Sequence, residues 1–279
     1  MGSNQKTAVV TGTSSGIGHE TALILARNGF LTYATMRNLD KSSGLKKIAS
    51  KENLDSKLRY IQLDVTSDKS VQDAIKTISS EAGRIDVLVN NAGYGLTGAF
   101  EDLTIDEIKT QYETNVFGLI RVTQAVLPIM RKQKSGIIVN ISSGAGRFGY
   151  PSGSAYVSTK FAVEGLTESM SYEVEPFGII VALVEPGVIK TNFFGAMTVS
   201  KKSQDPSSPY YSMLKGMESS IGQMMENGST PDYVAKIVLQ AIIDSKPKLR
   251  YLAGKDVEQW IAGKMSMSDE EFHAMMKNL

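Results

Sequence analysis

Three side chains carry the chemistry open to this sequence: Ser143, Tyr156 and Lys160. Ser143 closes the apolar run Ile138-Val139-Asn140-Ile141-Ser142-Ser143, and Tyr156-Val157-Ser158-Thr159-Lys160 falls in a helical pattern thirteen residues beyond it. Positions i and i+4 share a helix face, so the heads of Tyr156 and Lys160 converge. An ammonium beside a phenol favours the phenolate and brings its pKa nearer neutrality, which suits the tyrosine to donate and accept protons. Many helices carry such a pair as an exposed tyrosine packed on a lysine stem. The surroundings must therefore decide.

Other chemistries lack material. The chain has no cysteine, which removes disulfides, thiolate catalysis and Cys-type zinc sites. Its two histidines, His19 and His273, lie far apart, so no metal site and no Ser-His-Asp triad is expected. With 30 basic and 29 acidic residues the net charge is +1, too weak a field to gather nucleic acid or anionic lipid. The sequence opens without an apolar secretion signal, misses the myristoylation pattern at Lys6, and has no later apolar run of the roughly 18 residues a span needs. A soluble, cytoplasmic protein is the expectation.

The elements that must position these residues follow from periodicity. Strands are expected at Thr7–Thr11, Leu31–Thr35, Leu58–Leu63, Ile85–Asn90, Gly136–Ser142, Ile179–Glu185 and Leu249–Leu252, with amphipathic helices between them. Strands rich in Val, Ile and Leu on both faces, alternating with helices, predict a doubly wound α/β fold of the Rossmann type. It would be a parallel seven-stranded sheet covered on both sides, in a single domain spanning residues 1–279. Ligands of such sheets bind beyond the carboxyl ends of the strands. The stretch from Phe193 to Ser229, with Met197, Met213, Met217, Met224 and Met225 among Gly, Ser and Pro, fits no strand and is expected to be a lid over the site.

After the first strand comes Thr11-Gly12-Thr13-Ser14-Ser15-Gly16-Ile17-Gly18, opening onto a helix. Glycines there allow a tight bend and close backbone approach, and the helix start supplies free N–H donors, so a phosphate-bearing ligand is expected on Gly12, Ser14, Ser15, Gly16, Ile17 and Gly18. The spacing departs from G-x-G-x-x-G, and a purely structural turn would look similar. The second strand ends Tyr33-Ala34-Thr35-Met36-Arg37, with no carboxylate for ribose hydroxyls. A guanidinium binds a 2′-phosphate, so Arg37 favours NADP(H) over NAD(H).

These pieces together resemble the short-chain dehydrogenase/reductase family over nearly the whole chain, closest to its hydroxysteroid and retinol dehydrogenase-like branch. The resemblance rests on the Thr11–Gly18 turn, Asp64-Val65, Asn90-Asn91-Ala92-Gly93, Asn115, Ser143, Tyr156, Lys160 and Pro186-Gly187 followed by Thr191. It implies that Tyr156 protonates a carbonyl oxygen, that Ser143 holds that oxygen, and that Lys160 binds the ribose and assists Tyr156. Asn115, in a helix interrupted near Asn115-Val116-Phe117-Gly118, would hold a water of a proton relay. Asp64 and Val65 would meet the adenine, Asn91 the adenosine ribose, and Pro186, Gly187, Ile189 and Thr191 the nicotinamide side. Ser142 is the rival serine, but the thirteen-residue interval favours Ser143. Asn90 and Asn91 also suit a purely structural tie between strands, and Glu185 sits near the site as a strand-end residue.

The branch suggests a lipophilic carbonyl or alcohol substrate. Leu96, Phe148, Tyr150, Phe193, Phe194 and the lid methionines would line the pocket, although the same residues would suit a core. The helices expected at Thr104–Arg131 and Ser154–Glu175 carry apolar residues on several faces, among them Ile120, Val126, Phe161, Leu166 and Met170. The family pairs these helices, so a homodimer or homotetramer is implied, with burial inside one subunit as the competing account. Two other functions stay open: a 3-oxoacyl-thioester reductase, and a non-catalytic dinucleotide sensor.

Overall fold

The computed structural model describes residues 5–190 and 197–277. Its strands are β1 (Thr7–Val10), β2 (Leu31–Met36), β3 (Leu58–Gln62), β4 (Val87–Asn90), β5 (Leu96–Thr97), β6 (Gly136–Ile141), β7 (Ile179–Pro186), β8 (Thr198–Val199) and β9 (Arg250–Ala253). The helices are α1 (Gly16–Arg27), α2 (Ser43–Lys51), α3 (Asp68–Ala82), α4 (Ile105–Tyr112), α5 (Gly118–Gln133), α6 (Ser154–Val174), α7 (Tyr211–Asn227), α8 (Pro231–Ile243), α9 (Lys255–Ser266) and α10 (Asp269–Lys277).

All seven expected strands form one sheet, ordered β3-β2-β1-β4-β6-β7-β9. Every pairing in it is parallel. The order reverses between β1 and β4, and this switch point opens a crevice at the carboxyl ends of the strands. The central strands β1, β4, β6 and β7 are mostly apolar because both faces are covered, whereas the edge strands β3 and β9 carry Arg59, Gln62 and Arg250. Val10, Val89, Val139 and Val184 pack beneath Leu25, Val234 and Val238 on one face. Val9, Leu88 and Ile138 pack beneath Ile75, Val122 and Val126 on the other.

Two asparagines inside this core bond to each other and to threonines. Asn90 donates to Asn140 at 2.9 Å and to Thr123 at 2.8 Å, and Asn140 donates to Thr167 at 2.9 Å. The tie expected of Asn90 is thus present, crossing from the fourth strand to two flanking helices.

Two expectations need correction. The segment read as strand-free contains β8, which pairs in parallel with β5, followed by the long helix α7; two-residue strands are too short for a periodic signal. The helical stretch Thr104–Arg131 is interrupted near Asn115–Gly118 as expected: α4 begins with a Thr104–Glu107 capping box, a π-helical turn occupies Glu113–Phe117, and α5 follows. Val126 is fully buried within the subunit, while Phe161 on α6 is 47% exposed. Phe193 and Phe194 lie outside the described residues.

Candidate active site

The sheet and α6 bring Ser143, Tyr156 and Lys160 to one cleft of about 1070 Å³ at the carboxyl edge. Ser143 follows β6 in extended backbone and accepts a hydrogen bond from the amide of Ala145 at 3.1 Å. Its hydroxyl reaches the oxygen of Pro186 at 3.4 Å. Tyr156 and Lys160 lie one turn apart on α6, both nearly buried. Burial pushes the Tyr156 phenol up to about 12, against the opposing effect of a hydrogen bond shared with Ser143. Burial also pulls the Lys160 ammonium down to about 8, opposed by the charge of Glu164. Lys160 Nζ donates to the Ile141 oxygen at 2.9 Å and stands 5.7 Å from the Tyr156 ring centre. The phenol brought toward neutrality by its lysine is therefore not realised in this geometry, because desolvation outweighs the hydrogen bond with Ser143.

At the other end of the cleft, Gly12, Ser14, Ser15, Gly16 and Ile17 line the turn into α1. Gly12 and Gly16 adopt left-handed φ of +70° and +62°, which explains both glycines. Ser15 makes no capping side-chain bond and the first turn of α1 holds no acid, so its amide groups are free to meet an anion. Gly18 does not line the cleft. A Cβ there would stand 2.4 Å from the Gly12 oxygen, so its role is to let α1 pack against its own turn. Arg37, Asp64, Val65 and Asn91 line the same end, and Arg37 forms no ion pair among the described residues. Asp64 Oδ1 is held by the amide and hydroxyl of Thr66 at 3.0 and 2.8 Å. These glycines, amides and cation suit a dinucleotide bearing phosphates.

Asn91 donates through Nδ2 to the oxygens of Thr11 and Gly12 at 2.9 and 3.0 Å, so its side chain braces the glycine turn. The Asn115 side chain is committed within the protein. Its Oδ1 accepts from the Tyr94 amide at 3.0 Å, and Nδ2 donates to the Tyr94 oxygen at 2.8 Å and to Thr159 at 3.2 Å. It is 3% exposed and absent from the cleft wall, so its amide ties the π turn to α6 and has no donor left for a relay water. Pro186, Gly187 and Ile189 line the cleft as expected; Thr191 lies outside the described residues.

Phe148, Tyr150, Met197, Met213, Met217 and Met224 wall the remaining part. Leu96 is instead buried with Leu103 and Ala155, and Met225 does not reach the cleft. Sequence reasoning missed Trp260 and Met276, which α9 and α10 deliver from the far end of the chain. It also missed Asp256, whose Oδ2 accepts from the Val188 amide at 2.6 Å and whose carboxylate fills the space a Gly187 side chain would need. Nothing in spacing links these residues to Tyr156: Trp260 and Met276 reach the cleft by packing with Phe148, and Asp256 through its bond to the Val188 amide.

The short chain dehydrogenase family model matches residues 6–202. The chain belongs to the short-chain dehydrogenases. It is 40% identical over 258 residues to the oxidoreductase YusZ of Bacillus subtilis, covering 91% of each chain. It is 37% identical to 3-ketodihydrosphingosine reductase of Bacteroides thetaiotaomicron, covering 90% of this chain and 88% of that one. Retinol dehydrogenase 8 of Bos taurus is also 37% identical, over 90% of this chain and 82% of its own. These relatives place the chain in the retinol dehydrogenase-like branch. A short-chain dehydrogenase structure from Streptomyces avermitilis superimposes with a TM-score of 0.82 at 34% identity, covering 94% of this chain and 92% of that one. The structure of ElxO with NADP bound gives 0.74 at 29% identity, covering 89% and 97%.

In this short-chain dehydrogenase, the serine loop and the carboxyl end of β7 rest on a buried charge cluster. Glu185 is fully buried and pairs with Arg147 at 3.2 Å and Arg250 at 3.3 Å. Arg250 also holds Glu164 at 3.0 Å and Glu168 at 2.5 Å. Burial, followed by the nearby charge of Glu164, pushes the Glu185 carboxyl well above the usual carboxylate range, against the pull of the two guanidiniums.

Proposed function

We propose that this chain is an NADP(H)-dependent oxidoreductase that interconverts a ketone or aldehyde and an alcohol, acting on a lipophilic carbonyl with Tyr156 as general acid/base. The observation that carries the reading is the Tyr156 phenol, buried, bonded to Ser143 and one turn from Lys160, in the same cleft as the open start of α1. When bound, the nicotinamide ring supplies or takes the hydride. Ser143 and Tyr156 both address the substrate oxygen: the serine fixes its position, and the phenol protonates it in reduction or takes its proton in oxidation. With its pKa raised to about 12, Tyr156 keeps its proton at physiological pH, which is the form that reduction requires. Lys160 would exchange the Ile141 oxygen for ribose hydroxyls. Gly12, Ser14, Ser15, Gly16 and Ile17 would cradle the pyrophosphate, Arg37 would take the 2′-phosphate, and Asp64, Val65 and Asn91 would border the adenosine. Pro186, Gly187, Ile189 and Thr191 would border the nicotinamide.

Thioether and aromatic side chains on the substrate wall support a lipophilic substrate, since they offer adaptable apolar surface with few polar groups. The name of the Bacteroides relative, a reductase of 3-ketodihydrosphingosine, supports the same class. Exposed apolar side chains on neighbouring helices, Ile105 and Phe117 on one side and Phe161 and Tyr172 on α6, support a homodimer or homotetramer. No described helix is long and apolar enough to cross a membrane, and a cytoplasmic location is part of the proposal.

The test is NADPH oxidation against ketones, aldehydes, steroid-like compounds, sugars and acyl thioesters, with Tyr156→Phe as control. Hydrophobic ketones or aldehydes are expected to react best, and the control to lose about 10²–10⁴-fold in kcat. Full activity in the control would remove Tyr156 from the mechanism, and a strong preference for small sugars would remove the lipophilic substrate.

A further inference from the structure

A second buried carboxylate lies on the substrate side of the cleft, in a role the reaction does not use. Asp102 ends a short turn, Phe100–Asp102, after β5, and its side chain has no solvent exposure. A buried carboxylate is costly unless donors surround it. Here they come from one stretch of chain. Oδ2 accepts from Ser203 at 3.0 Å and from Ser208 at 2.7 Å, while Lys202 Nζ stands 3.3 Å from Oδ1. The Asp102 main-chain oxygen accepts from Ser200 at 2.9 Å, and Ser203 Oγ accepts from the Ala99 amide at 3.1 Å. Hydrogen bonds from Ser208 and Ser203 and the Lys202 ammonium hold the carboxyl below its usual range despite burial.

The backbone adds to this attachment. Thr198 donates to the Gly95 oxygen and Ser200 to the Thr97 oxygen, both at 2.9 Å, joining β8 to β5. Gly98 leaves room for the approach, since a Cβ there would stand 2.8 Å from the Ser200 Cβ. Beyond the attached stretch, the Tyr210 hydroxyl donates to Glu101 at 2.7 Å, and α7 begins. Met197 and Thr198 line the cleft just before the attachment, and Met213 and Met217 line it just after. One aspartate thus sits between the two halves of the wall.

We propose that Asp102 is a specificity-determining anchor: its bonds fix residues 197–210 as a rigid wall of the pocket, so that only α7 adjusts to the substrate. The proposal rests on the reading of this side of the cleft as the substrate pocket. A fixed Met197–Thr198 edge limits the shape of the carbonyl compound, whereas the thioethers of α7 repack around its bulk. Loss of the anchor frees the edge and costs substrate affinity, because the wall must then be ordered on binding.

The experiment compares Asp102→Ala and the double variant Ser203→Ala/Ser208→Ala with the parent protein. It uses backbone hydrogen exchange over residues 197–210, NADPH affinity, and steady-state kinetics with 2-decanone. The expected result is exchange about tenfold faster or more in this stretch, and KM for the ketone raised about tenfold. The effect on kcat should be smaller, and NADPH affinity unchanged. The serine variant keeps the carboxylate and serves if Asp102→Ala fails to fold. Parent-like exchange over residues 197–210, or an unchanged KM, overturns the proposal. The exchange measurement requires no turnover, so it decides the anchor even if the ketone is refused and the substrate reading fails.

Discussion

The ammonium of Lys160 donates to the Ile141 main-chain oxygen at 2.9 Å, linking α6 to the end of β6, the strand that leads into Ser143. This bond satisfies a buried cation whose proton is easily lost, since burial brings its pKa from 10.5 to about 8. The folded chain therefore gives up that proton before the unfolded chain does, and between about pH 8 and the unfolded value this group makes stability rise with pH. Tyr156 acts in the opposite sense: its contribution is complete below pH 10 and is lost as pH climbs through about 12. Lys160→Met is expected to be more stable than the parent by ~1–3 kcal/mol at pH 7, with the gain shrinking toward pH 10. Carbonyl reduction should fall by about 10²-fold or more. Urea titrations at several pH values check it; a variant less stable at pH 7 would contradict the account.

Arg37 is exposed at the dinucleotide end of the cleft and free of ion pairs among the described residues. If it binds a 2′-phosphate, Arg37→Asp should lower kcat/KM with NADPH by about 10–100-fold and raise it with NADH, because the new carboxylate repels the phosphate and accepts from ribose hydroxyls. Parallel assays with both cofactors measure the ratio. A parent enzyme that prefers NADH would refute the assignment.

Arg250 holds Glu185, Glu164 and Glu168 together, so its removal leaves buried carboxylates with less compensation. Arg250→Ala is expected to cost about 3–5 kcal/mol. Glu185→Gln in the same background should recover part of that loss, since an amide needs no cation. The double variant, followed by thermal and chemical unfolding, measures the coupling. Simple additivity would mean that the two groups do not share a network.

Gly187 faces the Asp256 carboxylate, which would stand 2.3 Å from an added Cβ. Gly187→Ala should therefore displace Asp256 from the Val188 amide and loosen the Pro186–Val188 wall, weakening NADPH binding by about tenfold. Asp256→Ala alone should weaken binding to a similar degree, because it removes the same bond to the Val188 amide. Titration of NADPH fluorescence is the measurement, and an unaffected Gly187→Ala would show that the wall does not contact the cofactor.

Much of this molecule was legible before folding because its signals are local. Parallel strands covered on both faces favour Val, Ile and Leu, so the main strands announce themselves, and the bend at Gly12 and Gly16 is written in residues whose backbone freedom it requires. The helical spacing of Tyr156 and Lys160 likewise follows from the period of one helix. Other features depend on groups that meet only through the fold. The Asn115 amide was drawn to Tyr94 and Thr159 because the π turn aims it inward. Gly18 became a packing position because α1 lies against its own turn. Trp260, Met276 and Asp256 reach the site from helices about a hundred residues beyond Tyr156, and Asp102 meets its serines across a similar interval. Sequence by itself determined the sheet, the glycine turn and the shared helix face of Tyr156 and Lys160, since each is encoded within a few neighbouring residues. Tertiary structure alone decided which protons are easily lost and which walls are fixed, because desolvation and charge pairing depend on distant chain brought close.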